Sequence, residues 1–236
     1  MATTYDKASL VMIPSGVKES KLYSIKPTSG DGDFTFSRGT DTATRVNSSG
    51  LIEKERSNQL LQSNTFSNAS WTKTRATLTG GQSGYDGSND AWAFIDDTNN
   101  STHLLYQPLT SLGAEVATMS IYAKKGDVDF MAFRFEGAAV DYAYFDLANG
   151  TLGTIDSDYI EARITSVGGD WYRCEATRVL AASGNQAIIL PAQTNNDPTY
   201  AGAGTTAIYI QDAQVEYGLV ATDYIETTTA AVYEGI

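Results

Sequence analysis

Positive charge is scarce in this chain. Its 16 Lys and Arg face 28 Asp and Glu, a formal net charge of −12 over 236 residues. So acidic a chain is repelled by phosphate backbones and by anionic membrane surfaces, which argues against nucleic-acid and membrane partners. Cysteine occurs once, at Cys174, so an internal disulfide and a disulfide-stapled fold are excluded. Cys174 lies in the alternating run Trp171-Tyr172-Arg173-Cys174-Glu175-Ala176, which suits a small buried side chain better than a nucleophile. The single His103 cannot supply a His-rich metal site, and no catalytic role is assigned to it. Proline is rare, at 5 residues, so a proline-rich linker is absent. No stretch approaches the roughly 20 apolar residues that cross a bilayer. The opening Met1-Ala2-Thr3-Thr4-Tyr5-Asp6-Lys7 is polar and carries no apolar signal core. The expectation is a protein made in a cytoplasm and not exported by the usual route.

What the chain does have is β pattern. Hydrophobic residues make up 42%, enough for a sizeable core, and 21 glycines promise many turns. Apolar residues recur with period two, and long amphipathic helix patterns are missing. Ala91-Trp92-Ala93-Phe94-Ile95 is a short apolar strand. Residues 118–124 alternate and end at Lys125-Gly126-Asp127; residues 130–135 follow at once, so the two are expected to form a hairpin. Tyr142-Ala143-Tyr144-Phe145-Asp146 leads into the tight-turn pair Asn149-Gly150. Residues 159–165 reach Gly168-Gly169-Asp170, and residues 171–179 run back. Residues 187–190 and 207–217 add further strands. About eight strands separated by turns predict an all-β, two-sheet antiparallel sandwich of jelly-roll type.

The leading residues read differently. Residues 9–14, 21–25, 34–36 and 44–46 are short β pieces among turn-rich stretches, too short and polar to build a core alone. They predict an extended N-terminal arm over 1–56 that docks on something else, with the sandwich over 57–236. The charged run Glu53-Lys54-Glu55-Arg56 makes the connection.

Several segments carry a resemblance. Ser24-Ile25-Lys26-Pro27, Asp33-Phe34-Thr35-Phe36-Ser37-Arg38, Ala43-Thr44-Arg45-Val46-Asn47 and Gly50-Leu51-Ile52-Glu53 resemble, in that order, the front arm of many tailed-phage fibre, head-decoration and tail proteins. Asn58-Gln59-Leu60-Leu61-Gln62-Ser63-Asn64-Thr65-Phe66 with Trp71 resembles the opening of the carbohydrate-binding-like sandwiches that follow that arm. Gly169-Asp170-Trp171-Tyr172-Arg173 resembles a strand start in the middle of such modules. Residues 208–218 with Ala221-Thr222-Asp223-Tyr224-Ile225 resemble their closing strand, with Asp212 where a glycine is usual and Glu226 where a proline is usual. The resemblance implies a virion protein: a head fibre, capsid decoration, or tail or neck fibre, oligomeric with a trimer favoured. Its arm would meet other virion proteins through Leu10, Met12, Leu22, Tyr23, Phe34, Phe36, Arg38 and Arg45. It names no ligand, because the same sandwich serves glycan adhesion and scaffolding alike.

Nothing in the spacing selects a catalytic pair. Asp96-Asp97 and Asp156-Ser157-Asp158 sit beside turn-forming residues and read as loops, so no enzyme is expected. Asp86-Gly87-Ser88-Asn89-Asp90 offers hard oxygens, and a structural calcium at Asp86, Asn89 and Asp90 is weighed against an ordinary turn; it lacks the ligand spacing of an EF-hand. A sugar site needs an exposed aromatic face ringed by hydrogen-bonding groups. Trp92 and Trp171 read as core, and Trp71 fits either the core or such a face. Tyr142 and Tyr144 lie two apart, hence on one sheet face, with Arg134 and Glu136 on the expected partner strand. That face is the candidate glycan surface, set against a role for the same tyrosines in the core or in a subunit contact.

Overall fold

The computed structural model describes residues 4–18, 21–35, 44–46, 52–54, 56–109, 114–136 and 141–234. The chain divides into two units, one of Met1–Ser57 with Tyr233–Ile236 and one of Asn58–Val232. In the first unit, Val11–Lys18 and Lys21–Lys26 pair antiparallel and Phe34–Thr35 adds a third strand. Thr44–Val46 pairs with Ile52–Lys54. The last strand, Val232–Glu234, pairs with Arg56–Asn58. The closing residues thus group with the first unit, whereas the sequence pattern assigns them to the sandwich. Among the described residues no helix is long and apolar enough to cross a membrane.

The second unit is an antiparallel β-sandwich. Its principal strands are β1 (Thr72–Thr74), β2 (Ala76–Gln82), β3 (Ala91–Asp96), β4 (Leu104–Pro108), β5 (Val116–Lys125) and β6 (Phe130–Glu136). They continue as β7 (Ala143–Asp146), β8 (Thr151–Ile155), β9 (Tyr159–Gly168), β10 (Trp171–Val179), β11 (Gln186–Ala192) and β12 (Thr206–Tyr217). One six-stranded sheet runs β8-β7-β6-β11-β4-β1 and the other β9-β10-β5-β12-β3-β2.

Alternation decides which side chains meet between the sheets. Met131, Phe133 and Phe135 of β6 face Met119, Ile121 and Ala123 of β5, and Cys174, Ala176, Ile189 and Val215 fill the same core. On β12 the inward positions switch from Ile208 and Ile210 to Ala213, Val215 and Tyr217. The switch is a β-bulge: Ser120 pairs with Gln214 but Tyr122 with Gln211. Asp212 sits in the bulge at φ +56°, a conformation that Gly, Asn and Asp tolerate best. That accounts for aspartate standing where a glycine is usual.

The expected hairpin of residues 118–124 and 130–135 does not form. β5 pairs with β10 and β12, while β6 pairs with β7 and β11 in the other sheet. The turn is an arch that crosses the core, because both strands bury a face and each gains more by facing the other than by lying beside it. The turn amides are satisfied by β12: Gly126 N and Val128 N donate to Ala207 O, and Asp127 N to Thr206 O.

Asp96, at the end of β3, organises the loop before β12. Its Oδ1 accepts from the amides of Ala203, Gly204 and Thr205, and its Oδ2 from the Tyr200 hydroxyl at 2.9 Å. Tyr200→Phe removes that hydroxyl from a buried carboxylate. Urea unfolding should show a loss of about 1–2 kcal/mol.

Candidate functional site

In an antiparallel sandwich every second connection lies at the same end. Three connections rich in turn residues meet at one end here: 126–129 after β5, 147–150 after β7 and 168–170 after β9. Each has a local cause. A Cβ on Gly126 would lie 2.3 Å from Thr206 O, so only glycine lets the arch seat on β12. Asp146 Oδ1 accepts from the amides of Ala148 at 3.0 Å and Asn149 at 2.9 Å, and Gly150 completes that turn at φ +67°. Gly168, Gly169 and Asp170 take φ of +95°, +60° and +63°.

Between these turns lies an open cleft of about 660 Å³, lined by Lys124, Asp127, Leu147, Asp170, Tyr172 and Tyr209 among others. That volume falls within the range of small-ligand sites. Strand register builds its floor. Lys124 of β5 stands opposite Trp171 of β10 on one side and Tyr209 of β12 on the other. Its ammonium lies 5.5 Å from the Trp171 ring centroid and 5.0 Å from that of Tyr209. This is a cation–π clamp, which positions the charge without neutralising it. Lys125, by contrast, is ion-paired with Asp129. Among the described residues, no carboxylate lies within ion-pair distance of the Lys124 ammonium. The cleft therefore offers aromatic faces for sugar C–H groups, carboxylates that accept hydroxyl protons, and a fixed cation.

The residues singled out from sequence fall elsewhere. Tyr142, Tyr144 and Arg134 do share the outer face of the β6-containing sheet. The two rings stand 5.5 Å apart, and the Arg134 guanidinium is 6.0 Å from the Tyr142 ring. Tyr144, however, is 0% exposed, packed with Ala132, Ile188, Leu190 and Ala192 in a second apolar cluster. Burial pushes its phenol upward, and its hydroxyl has no hydrogen-bond partner among the described residues. Trp71 is 1% exposed, edge-on to Phe66 at 5.2 Å, with its indole N–H donating to Gln62 O. Neither is a platform on which a sugar stacks. The reason is that period two assigns a face, whereas accessibility depends on what covers that face. The side chain of Glu136 lies outside the described residues.

Of the arm positions, Leu10 and Tyr23 are exposed, at 45% and 39%, and Met12 is partly buried. Phe36 and Arg38, and the side chains of Leu22, Phe34 and Arg45, lie outside the described residues. In the candidate calcium loop, Asp86 Oδ1 accepts from Ser88 N and from Gln211 Nε2, and Gln211 Nε2 also reaches Asp90 Oδ1 at 2.7 Å. The Ser88 bonds hold the Asp86 carboxyl below its ordinary value. Asn89 is exposed. Among the described residues no three acidic, His or Cys side chains are grouped as a metal site requires. Cys174 is buried, and burial pushes its thiol well up.

Sequence reasoning missed Lys124, Asp127, Asp170, Tyr172 and Tyr209 as a group. The usable signal was turn parity. The three turns were each legible as Gly- and Asp-containing breaks, and alternate breaks share an end.

No family model matches the sequence, and no curated relative does. Solved structures of similar fold include the enzymatically active domain of bacteriophage CBA120 tailspike protein 4, at 14% identity and TM-score 0.44, covering 68% of this chain. The match spans only 21% of that tailspike chain. The CBM22-1 xylan-binding domain of Paenibacillus barcinonensis Xyn10C aligns at 12% identity and TM-score 0.39, covering 70% of this chain and 94% of that one. The mannan-recognising module TmCBM27 aligns at 11% identity and TM-score 0.32, covering 65% and 94%. Each is a likeness of fold.

Proposed function

We propose that the second unit is a non-catalytic carbohydrate-binding sandwich whose site is the cleft at the end carrying the three turns. The observation that carries this reading is the joint presence of the Tyr172 and Tyr209 side chains, the clamped Lys124 and the carboxylates of Asp127 and Asp170 in one open space of about 660 Å³. Sugar recognition asks for that combination: an apolar face for the ring and polar groups for the hydroxyls. A glycan array probed with the intact chain tests it. Saturable binding is expected, and Tyr209→Ala should weaken it at least about tenfold, a ring contact's worth of roughly 1.4 kcal/mol. Failure of every glycan to bind, or binding untouched by Tyr209→Ala, contradicts the reading. Incubation with a bound polysaccharide should leave its chain length unchanged.

The setting we propose for this adhesion is a tailed-phage particle, with the first unit attaching to other virion proteins and the protein assembling as an oligomer, a trimer favoured. The arm and closing motifs, and the order in which they follow one another in the sequence, support this. A map of the intact particle with this chain placed in a fibre or capsid knob is the expected result; absence of the chain from purified particles counts against it.

A further inference from the structure

We propose that Lys124 makes the end cleft selective for acidic sugar units, hexuronates and similar carboxylate-bearing residues of a polysaccharide. This rests on the reading of the cleft as a glycan site and adds the substrate class.

The argument begins with how this protein spends its few cations. Arg173 Nε lies 3.2 Å from Glu175, Arg178 reaches Asp158 at 3.4 Å and Asp141 at 3.7 Å, and Lys125 is held by Asp129. Lys124 differs. It is flanked by the rings of Trp171 and Tyr209 and meets no carboxylate among the described residues. Trp171 is itself buried, so one wall of the clamp is fixed. In a chain of net charge −12, an unneutralised ammonium fixed at the floor of an open cleft creates a local reversal of sign.

The neighbouring groups narrow the class. Asp127 and Asp170 line the same cleft. A multiply charged anion such as a phosphate ester would face both carboxylates for one cation not already paired, since Lys125, which also lines the cleft, is held by Asp129. A single carboxylate on a sugar ring avoids that conflict. Its charge sits on the Lys124 side, its hydroxyls turn toward the aspartates, and its apolar ring face lies against tyrosine. A charge-assisted contact of this kind is stronger than a neutral one. It should also weaken as salt rises.

The test is calorimetric titration of the intact chain with oligogalacturonate and oligoglucuronate, and with the methyl esters of both. Esterification removes the ligand's charge without touching the protein. The expected result is at least tenfold tighter binding of one free acid than of its ester. In Lys124→Gln the ratio of acid to ester affinity should fall to about one. Equal binding of acid and ester by the native chain, or a preference that survives in a folded Lys124→Gln, overturns the assignment of acidic sugars and leaves the glycan site standing. Absence of heat with all four ligands, together with an empty glycan array, overturns both.

Discussion

Replacing Asn58 by alanine should lower the unfolding free energy of the sandwich by about 3 kcal/mol or more. Asn58 is 0% exposed and serves four backbone groups at once. Its Nδ2 donates to Ala213 O at 3.1 Å and Ile225 O at 2.8 Å, and its Oδ1 accepts from Leu60 N at 3.1 Å and Val215 N at 3.2 Å. Alanine leaves these groups without their side-chain partner in a space that water does not reach. The penalty for each buried unpaired group is about 1–3 kcal/mol, partly relieved by relaxation. Asn58→Asp separates hydrogen bonding from volume. It keeps the accepting oxygen, loses the donor, and turns a carboxylate toward two carbonyls. It should cost at least as much as alanine. Urea denaturation measures both; a loss below about 1 kcal/mol would mean that the opening and closing segments of the sandwich are held by something else.

Stability should also fall as pH rises from about 4 to 7, and Asp212→Asn should abolish most of that slope. Asp212 lines a second pocket, apart from the Lys124 cleft, with Tyr85, Asp86, Asp90, Tyr224 and Glu226. Burial there raises its carboxyl to about 7, and the nearby Asp90, Asp86 and Glu226 charges push the same way. The Tyr85 hydroxyl, donating to Oδ2 at 3.0 Å, opposes them. A carboxyl raised in the folded state binds its proton more tightly there than in the unfolded chain. Its contribution is therefore largest in acid and is lost as pH climbs from the ordinary carboxylate value through about 7. Three pH units correspond to a ceiling of about 4 kcal/mol; solvent screening of the exposed neighbours Asp86, Asp90 and Glu226 reduces this to about 2. Asparagine suits the positive φ of this bulge and can still accept from Tyr85. Glu175, raised by its own burial, adds a smaller slope of the same sign, while Asp86, lowered by Ser88, acts only at the acid end. Thermal unfolding across pH, native chain against Asp212→Asn, reads the difference. A flat native profile contradicts the account.

These two residues also explain why short segments far apart in sequence carried so much of the reading. Asn58 opens the sandwich and Asp212 lies in its closing strand. Around them Gln214 Oε1 accepts from Ile225 N at 2.7 Å, and Ser63 and Thr227 bond reciprocally. The opening and closing segments form a single hydrogen-bonded clasp, so they read as motifs because each must match the other.

The two layers were legible because alternation in runs such as 118–124 and 130–135 specifies a buried face. The same alternation could not distinguish a hairpin from an arch, since both present identical side chains inward. What decides is whether the 126–129 turn amides bond across the turn or to β12, and that partner lies some 80 positions away. The candidate site was less legible for the same reason. Lys124, Trp171 and Tyr209 become neighbours only through strand pairing. Tyr142 and Tyr144, two apart in sequence, were easy to find but sit on a face where Tyr144 is covered.

The most direct test of the cleft is an amide chemical-shift map of the isotopically labelled chain titrated with a glycan it binds. The account predicts perturbations at Gly126, Asp127, Ala148, Gly150 and Asp170, the turns that enclose the space beside Lys124. Shifts confined to Ala132, Tyr144 and Ile188 on the outer face of the other sheet, with the three turns silent, would contradict it.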